Sequence, residues 1–86
     1  MSLLDLLGRR WALRILWELR SEALGFRELQ ARCDEMSASV LNQRLSELRE
    51  AGIVESGDSG YGLTERGREL LKAFKPLERW AKTWRP

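Results

Sequence analysis

The side chains best suited to chemistry in this 86-residue chain are short polar groups spaced along one predicted helix. Ser39, Asn42 and Gln43 carry hydroxyl and amide groups, and Arg44 adds a planar guanidinium. These groups match the edges of DNA bases, because amides pair with adenine and arginine pairs with guanine in the major groove. The chain has few side chains suited to catalysis, with no histidine and a single cysteine. The sequence therefore predicts no metal site, no cofactor and no enzymatic activity.

The helix that presents these groups has both of its ends marked. Leu41, Leu45 and Leu48 follow at i, i+4 and i+7, which predicts one apolar face and an opposite polar face. Ser37 is a favourable N-cap, and Gly52 can adopt the left-handed conformation that ends a helix. Since an ordinary amphipathic surface helix shows the same pattern, the neighbouring elements have to decide whether this is a DNA recognition helix.

Those neighbouring elements favour a recognition helix. A short helix and a tight turn precede it, and a turn-rich hairpin follows it. Earlier in the chain, Trp11, Ile15 and Leu19 recur every four residues, which predicts a scaffold helix with a broad buried face. After the hairpin, Thr64 caps a further helix, and Pro76 forces a kink or a fresh start in the C-terminal segment.

The order of elements predicts one mainly α domain with a small β-hairpin wing, a winged helix-turn-helix. The expected bounds are 8–20 for the scaffold helix, 27–33 for the first helix of the helix-turn-helix, 37–51 for the recognition helix, 53–63 for the wing, and 64–75 and 76–85 for the C-terminal helices. Residues 24–26 are expected to add a short strand to the wing.

Composition sets limits without identifying a function. Charged residues make up 33% of the chain and no apolar run approaches the length of a membrane span, so we expect no membrane partner and a cytoplasmic location. The 15 basic and 13 acidic residues give a net charge of +2, which is only mildly favourable to nucleic acid. A domain this short is marginally stable, and we expect a second copy of the chain to stabilise it.

Five segments of the chain carry a resemblance to a known family. They are 7–16 (LGRRWALRIL), 25–29 (GFREL), 40–48 (VLNQRLSEL), 51–54 (AGIV) and 61–67 (YGLTERG). In this order and spacing they resemble the HxlR-type branch of the winged-helix transcriptional regulators, which are relatives of the MarR regulators. The resemblance implies a homodimer that places one recognition helix per subunit in the major groove of double-stranded DNA and dimerises through its N- and C-terminal helices. Regulation of the repressor type is expected.

Four sets of residues are expected to serve that function. Base contacts are assigned to Ser39, Val40, Asn42, Gln43 and Arg44. Phosphate contacts are assigned to Arg27, Ser37 and Arg49, and wing contacts to Ser59 and Tyr61. The dimer interface is assigned to Leu3, Leu4, Leu6, Leu7, Trp80 and Trp84. Two alternatives stay open: Arg44 instead pairs with an acidic neighbour or a phosphate, and the two C-terminal tryptophans instead close the monomer core.

The sequence also departs from the family pattern. Many relatives carry a cysteine ahead of the scaffold helix for redox or electrophile sensing, whereas the one cysteine here is Cys33, for which a small buried thiol is the expected role. The wing carries Glu55 and Asp58 but no lysine or arginine, which puts wing binding to DNA in doubt. An acidic wing also suits an alternative function, a winged-helix module that binds protein and not DNA.

A small-molecule effector is a further expectation from the resemblance. Relatives often bind such molecules between the dimerisation helices and the DNA-binding lobe, where Trp11, Trp17 and Trp80 are the candidate lining residues. Packing in the core is the commoner fate of tryptophans.

Overall fold

The computed structural model describes residues 2–85, and within that range it is mainly helical with one antiparallel hairpin, as predicted. The elements are α1 (Leu3–Leu7), α2 (Ala12–Glu18), α3 (Phe26–Arg32), α4 (Ala38–Glu50), β1 (Val54–Gly57), β2 (Gly60–Leu63), α5 (Glu65–Ala73) and α6 (Lys75–Lys82). Of the helices in this range, none is long and apolar enough to cross a membrane.

The scaffold helix is shorter than predicted. It was expected over 8–20, but α2 begins at Ala12 because residues 8–11 form a turn between α1 and α2. Gly8 ends α1, and Trp11 adopts the left-handed conformation with φ +79°. The apolar spacing of Trp11 and Ile15 is therefore real, but only Ile15 lies inside the helix.

The core forms where α2, α3 and α4 meet the hairpin. Leu41, Leu45 and Leu48 of α4 are all buried there, as their spacing predicted. Leu6 and Leu7 of α1 belong to the same cluster. No polar or charged residue of the described chain is fully buried in this core.

The turn between α3 and α4 is tight, as expected. Cys33 ends α3, and Asp34 and Glu35 both have positive φ angles, 60° and 55°. A hydrogen bond from Gln30 Nε2 to the Met36 carbonyl oxygen, at 2.8 Å, spans the turn. This geometry fixes the angle at which α4 leaves α3.

The hairpin pairs Val54 with Leu63 and Gly57 with Gly60. The predicted third strand at 24–26 is wrong in extent: Leu24 makes a single antiparallel bridge to Tyr61, with N–O distances of 2.9 and 2.8 Å. The pairing stops there because Phe26 already begins α3.

The C-terminal segment divides at Pro76, as predicted, since α5 ends at Ala73 and Pro76 lies in the first turn of α6. Thr64 caps α5 by accepting a hydrogen bond from the Gly67 amide at 3.0 Å. Gly67 itself has no room for a β-carbon, which would collide with the Ile53 carbonyl oxygen. In contrast to α5, α6 has no buried residue.

Candidate nucleic-acid interface

The outer face of α4 is polar and open to solvent. Ser39, Asn42, Gln43 and Ser46 are all exposed, on the side of the helix opposite its three buried leucines. The Gln43 amide lies 3.5 Å from a Glu47 carboxylate oxygen, a contact at the limit of a hydrogen bond. The helix therefore offers hydroxyl and amide groups that external hydrogen-bonding partners can reach.

The N-terminus of α4 is organised by Ser37. Its hydroxyl accepts a hydrogen bond from the Val40 amide at 3.4 Å and lies 3.0 Å from the Ser39 hydroxyl. The cap is therefore present as predicted. Val40, expected to contact bases, has a half-buried side chain that packs against the core, so it offers less reachable surface than its polar neighbours.

Arg44 pairs with an acidic neighbour, which is one of the alternatives that the sequence left open. Its Nε donates to the Arg10 carbonyl oxygen at 3.0 Å, and its Nη1 lies 3.2 Å from Glu47 Oε1. Only 14% of the Arg44 side chain is exposed. Glu47, three residues further along the helix, is likewise mostly covered, because it pairs with Arg44 and with Arg9.

The three residues assigned to phosphates are all exposed. Arg27 is exposed in the first turn of α3, and Arg49 is exposed near the end of α4. Among residues 2–85, neither arginine has a carboxylate within 4.0 Å. Both guanidinium groups are available to an external anion, and so is the exposed Ser37.

Sequence reasoning missed Arg14 as an organising residue. Its Nη2 donates to the Arg32 carbonyl oxygen at the end of α3, and its Nη1 lies 3.3 Å from Asp34 in the following turn. Its Nε donates to Glu18 at 2.9 Å, a contact that raises the pKa of Arg14. Because these partners are remote in sequence, only the spacing from Arg14 to Glu18 carries a local signal.

The two residues assigned to the wing differ in exposure. Ser59 lies exposed at the hairpin tip, whereas Tyr61 is half-buried and its backbone bonds to Leu24. Glu55 and Asp58 are both exposed. The hairpin surface is therefore acidic, as the sequence indicated.

The residues assigned to the dimer interface fall into two groups. Leu3, Leu4, Trp80 and Trp84 are 51%, 80%, 59% and 55% exposed. Leu6 and Leu7 are buried in the subunit core, because α1 packs this face inward, so they are not free for a partner. The two tryptophans stack on each other, with ring centroids 6.2 Å apart, and do not close the core.

Three other exposed apolar side chains were not predicted: Leu13, Trp17 and Leu77. Leu77 lies on α6, three residues before Trp80, a spacing that would have assigned it to the same face. Leu13 and Trp17 lie one turn apart on α2. Their exposure makes the buried face of this helix narrower than expected.

Trp11, Trp17 and Trp80 were expected to line an effector pocket, but none of them lines the cavity beside α4 in residues 2–85. Trp11 packs partly against the core, whereas Trp17 is covered on one side by the Arg20 guanidinium, 3.8 Å from its ring centroid. A cavity of about 750 Å³ instead lies between α1, the end of α4 and α5. It is lined by Ser2, Leu3, Leu6, Glu47, Glu50, Ala51, Ile53, Arg66, Glu69 and Leu70.

Cys33 has the environment of a structural thiol. It is fully buried at the end of α3, and this burial raises the pKa of the thiol. A raised pKa lowers the fraction of the reactive thiolate at neutral pH. Among the described residues, no group of three or more histidine, cysteine or acidic side chains is placed to hold a metal ion.

Comparison with known proteins identifies the family of this arrangement. The model of the HxlR-like helix-turn-helix family matches residues 6–86. The chain is 30% identical to the uncharacterised HTH-type transcriptional regulator YvaP of Bacillus subtilis, over 93% of this chain and 81% of YvaP. The crystal structure of quinone-bound YodB from B. subtilis superposes with a TM-score of 0.88 at 33% identity, covering 94% of this chain and 92% of YodB. A possible HxlR family transcriptional factor from Thermoplasma volcanium gives 0.82 at 29% identity, with 95% and 80% covered.

Proposed function

This chain belongs to the HxlR-like helix-turn-helix family of transcriptional regulators, and we propose that it binds specific DNA sites as a homodimer and represses the adjacent promoter. The observation that carries the proposal is the division of α4 into a leucine face that fixes the helix to the core and an exposed face of hydroxyl and amide groups. Such a face reads base edges in the major groove.

Within this function, Ser39, Asn42 and Gln43 supply the base contacts, and Val40 adds apolar contact at the helix edge. Arg27, Ser37 and Arg49 bind phosphates, which set the register of the helix without reading sequence. Arg44 reaches a base only by giving up its two intramolecular bonds. We therefore assign it a role in positioning the helix.

The homodimer uses the apolar side chains left exposed on the terminal helices. Leu3, Leu4, Trp80 and Trp84 are the interface candidates, and Leu77 joins them on the same helix as Trp80. Pairing two subunits in this way would present two recognition helices to successive grooves of one DNA duplex. Repression requires only that the dimer occupy a promoter. The exposed face of α4 and the apolar side chains of the terminal helices support that occupancy. The protein would act in the cytoplasm, where bacterial and archaeal promoters are found.

An effector would act at the boundary between the DNA-facing helix α4 and the proposed dimer interface. The support is the quinone-bound state of YodB and, in this chain, the cavity that the end of α4 shares with α1 and α5. Because Cys33 is buried and lies elsewhere, we propose non-covalent binding here and not thiol chemistry.

The experiment is fluorescence anisotropy of labelled duplexes titrated at several salt concentrations, with the upstream region of the gene and random sequence compared. We expect affinity to fall with salt by about 0.9 log units per log unit for each neutralised phosphate, and the upstream region to bind more tightly. Absence of binding at low salt by folded protein would reject the proposal in favour of a protein-interaction module with an acidic wing.

A further inference from the structure

The turn between α1 and α2 lies against the recognition helix. Arg44 Nε, in the middle of α4, donates to the carbonyl oxygen of Arg10 at 3.0 Å, across 34 positions of sequence. The Arg44 side chain is mostly covered, and its bond to Arg10 lies at the surface. The turn and the helix are therefore held together directly and not only through the core.

A shared carboxylate makes the second connection. Glu47 Oε1 lies 3.2 Å from Arg44 Nη1 and 3.8 Å from Arg9 Nε, and 17% of the Glu47 side chain is exposed. The Arg44–Glu47 contact is a hydrogen bond between charged groups, which is stronger than one between neutral groups, whereas the Arg9–Glu47 contact is a longer ion pair. Glu47 thus links one arginine of the helix to one arginine of the turn.

The turn itself has a defined conformation. Trp11 has φ +79°, which is unfavourable for a bulky residue and persists where the surrounding structure imposes it. Its ring packs partly against the core, and the Arg10 guanidinium lies 5.5 Å from the ring centroid. The two consecutive arginines of this turn are exposed beside α4.

The hairpin, which also lies beside α4, has the reverse charge. The hairpin region, residues 53–63, contains Glu55 and Asp58 and no lysine or arginine. Positive charge adjoining the recognition helix is therefore found on the turn and not on the wing.

We propose that the α1–α2 turn is a second DNA-binding element, in which Arg10, with Arg9 beside it, binds backbone phosphates at the edge of the groove that receives α4. Arg44 and Glu47 are positioning residues that hold the turn against the helix. The inference rests on the proposed DNA-binding function and adds to it a contact surface outside the helix-turn-helix and the wing.

The first test is the salt dependence of DNA binding by Arg10→Gln, with Arg20→Gln at the other end of α2 as a control of equal charge. We expect Arg10→Gln to weaken binding to specific and random duplexes by the same factor and to lower the salt slope by about 0.9 per subunit. Arg20→Gln should leave the slope unchanged. An Arg10→Gln slope equal to that of the unaltered protein would overturn the inference.

The second test separates positioning from simple charge. Removing a negative charge near DNA should strengthen binding, and we expect this for Glu50→Gln, since Glu50 is exposed on α4 without an ion pair among residues 2–85. Glu47→Gln should instead weaken binding by about tenfold, because it removes the charge that pairs with Arg9 and Arg44 and so loosens the turn. Circular dichroism melting confirms that both variants are folded.

The outcomes distinguish the inference from the function on which it rests. If Glu47→Gln strengthens binding as Glu50→Gln does, the positioning role is wrong while DNA binding stands. If the unaltered chain binds no DNA at low salt, the proposed function fails and the inference fails with it.

Discussion

The helix-turn-helix and its wing bury their large apolar side chains. The terminal helices, in contrast, leave several of theirs exposed. Seven large hydrophobic side chains are exposed in the described chain, and all lie before residue 18 or after residue 76: Leu3, Leu4, Leu13, Trp17, Leu77, Trp80 and Trp84. Between these limits the large apolar side chains of α3, α4 and the hairpin are buried or half-buried. One region is complete within a subunit, whereas the other leaves apolar surface uncovered.

This difference supports the roles proposed for the two regions, DNA binding for one and dimerisation for the other. A surface from which apolar groups are withdrawn can contact a hydrated, charged duplex through hydrogen bonds. A contiguous apolar surface is instead typical of protein interfaces. Four substitutions test the comparison, and they follow in order of expected effect.

The largest effect is expected inside the completed region. Leu41→Ala should lower the free energy of unfolding by about 2–5 kcal/mol, because Leu41 is fully buried and the truncation leaves a cavity. Ser46→Ala, on the exposed side of the same helix, should change it by less than about 0.5 kcal/mol. Urea denaturation at a fixed protein concentration measures both. Similar values for the two variants would contradict the division of α4 into two faces.

The next effect is expected on the terminal surface. Trp80→Asp should weaken dimerisation about 30-fold or more, since a buried aromatic at an interface contributes about 2 kcal/mol or more. Operator affinity should fall with it, because a single subunit carries one recognition helix. Sedimentation equilibrium measures the dimer, and Trp80→Phe, which keeps an apolar ring, is the control. An unchanged dimer would show that α6 is not the interface.

An intermediate effect is expected on the polar face of α4. Gln43→Ala should cost about 1–3 kcal/mol at one base pair of the operator and little elsewhere, because the amide reads one base edge. A series of single base-pair substitutions in the duplex, measured by anisotropy, locates that position. Unchanged selectivity across the series would remove Gln43 from the base-contacting set.

The smallest effect is expected at the wing tip. Asp58→Lys should change DNA affinity by less than about threefold at physiological salt, since a screened charge outside contact distance contributes little. Asp58→Asn separates loss of the acid from gain of the base. A salt slope that rises by about 0.9 per subunit in Asp58→Lys would instead show that the wing tip reaches a phosphate.

The sequence alone determined the features that depend on a few neighbouring residues. Ser37 and Thr64 cap helices because each bonds an amide three residues ahead, and Pro76 divides the C-terminal segment through its own ring. The leucine spacing of α4 likewise predicted its two faces without any long-range information. Helical periodicity and capping depend on residues a few positions apart, so they can be predicted from the sequence.

Tertiary structure decided whatever depends on residues far apart in the chain. Apolar spacing did not reveal that the scaffold helix begins only at Ala12, nor that Leu6 and Leu7 face inward while Leu3 and Leu4 face solvent. A local pattern gives a side chain's face on a helix but not the element packed against that face. Arg44 shows this most clearly: its partner at Arg10 lies 34 residues away, so only the folded chain could decide that it holds a turn in place.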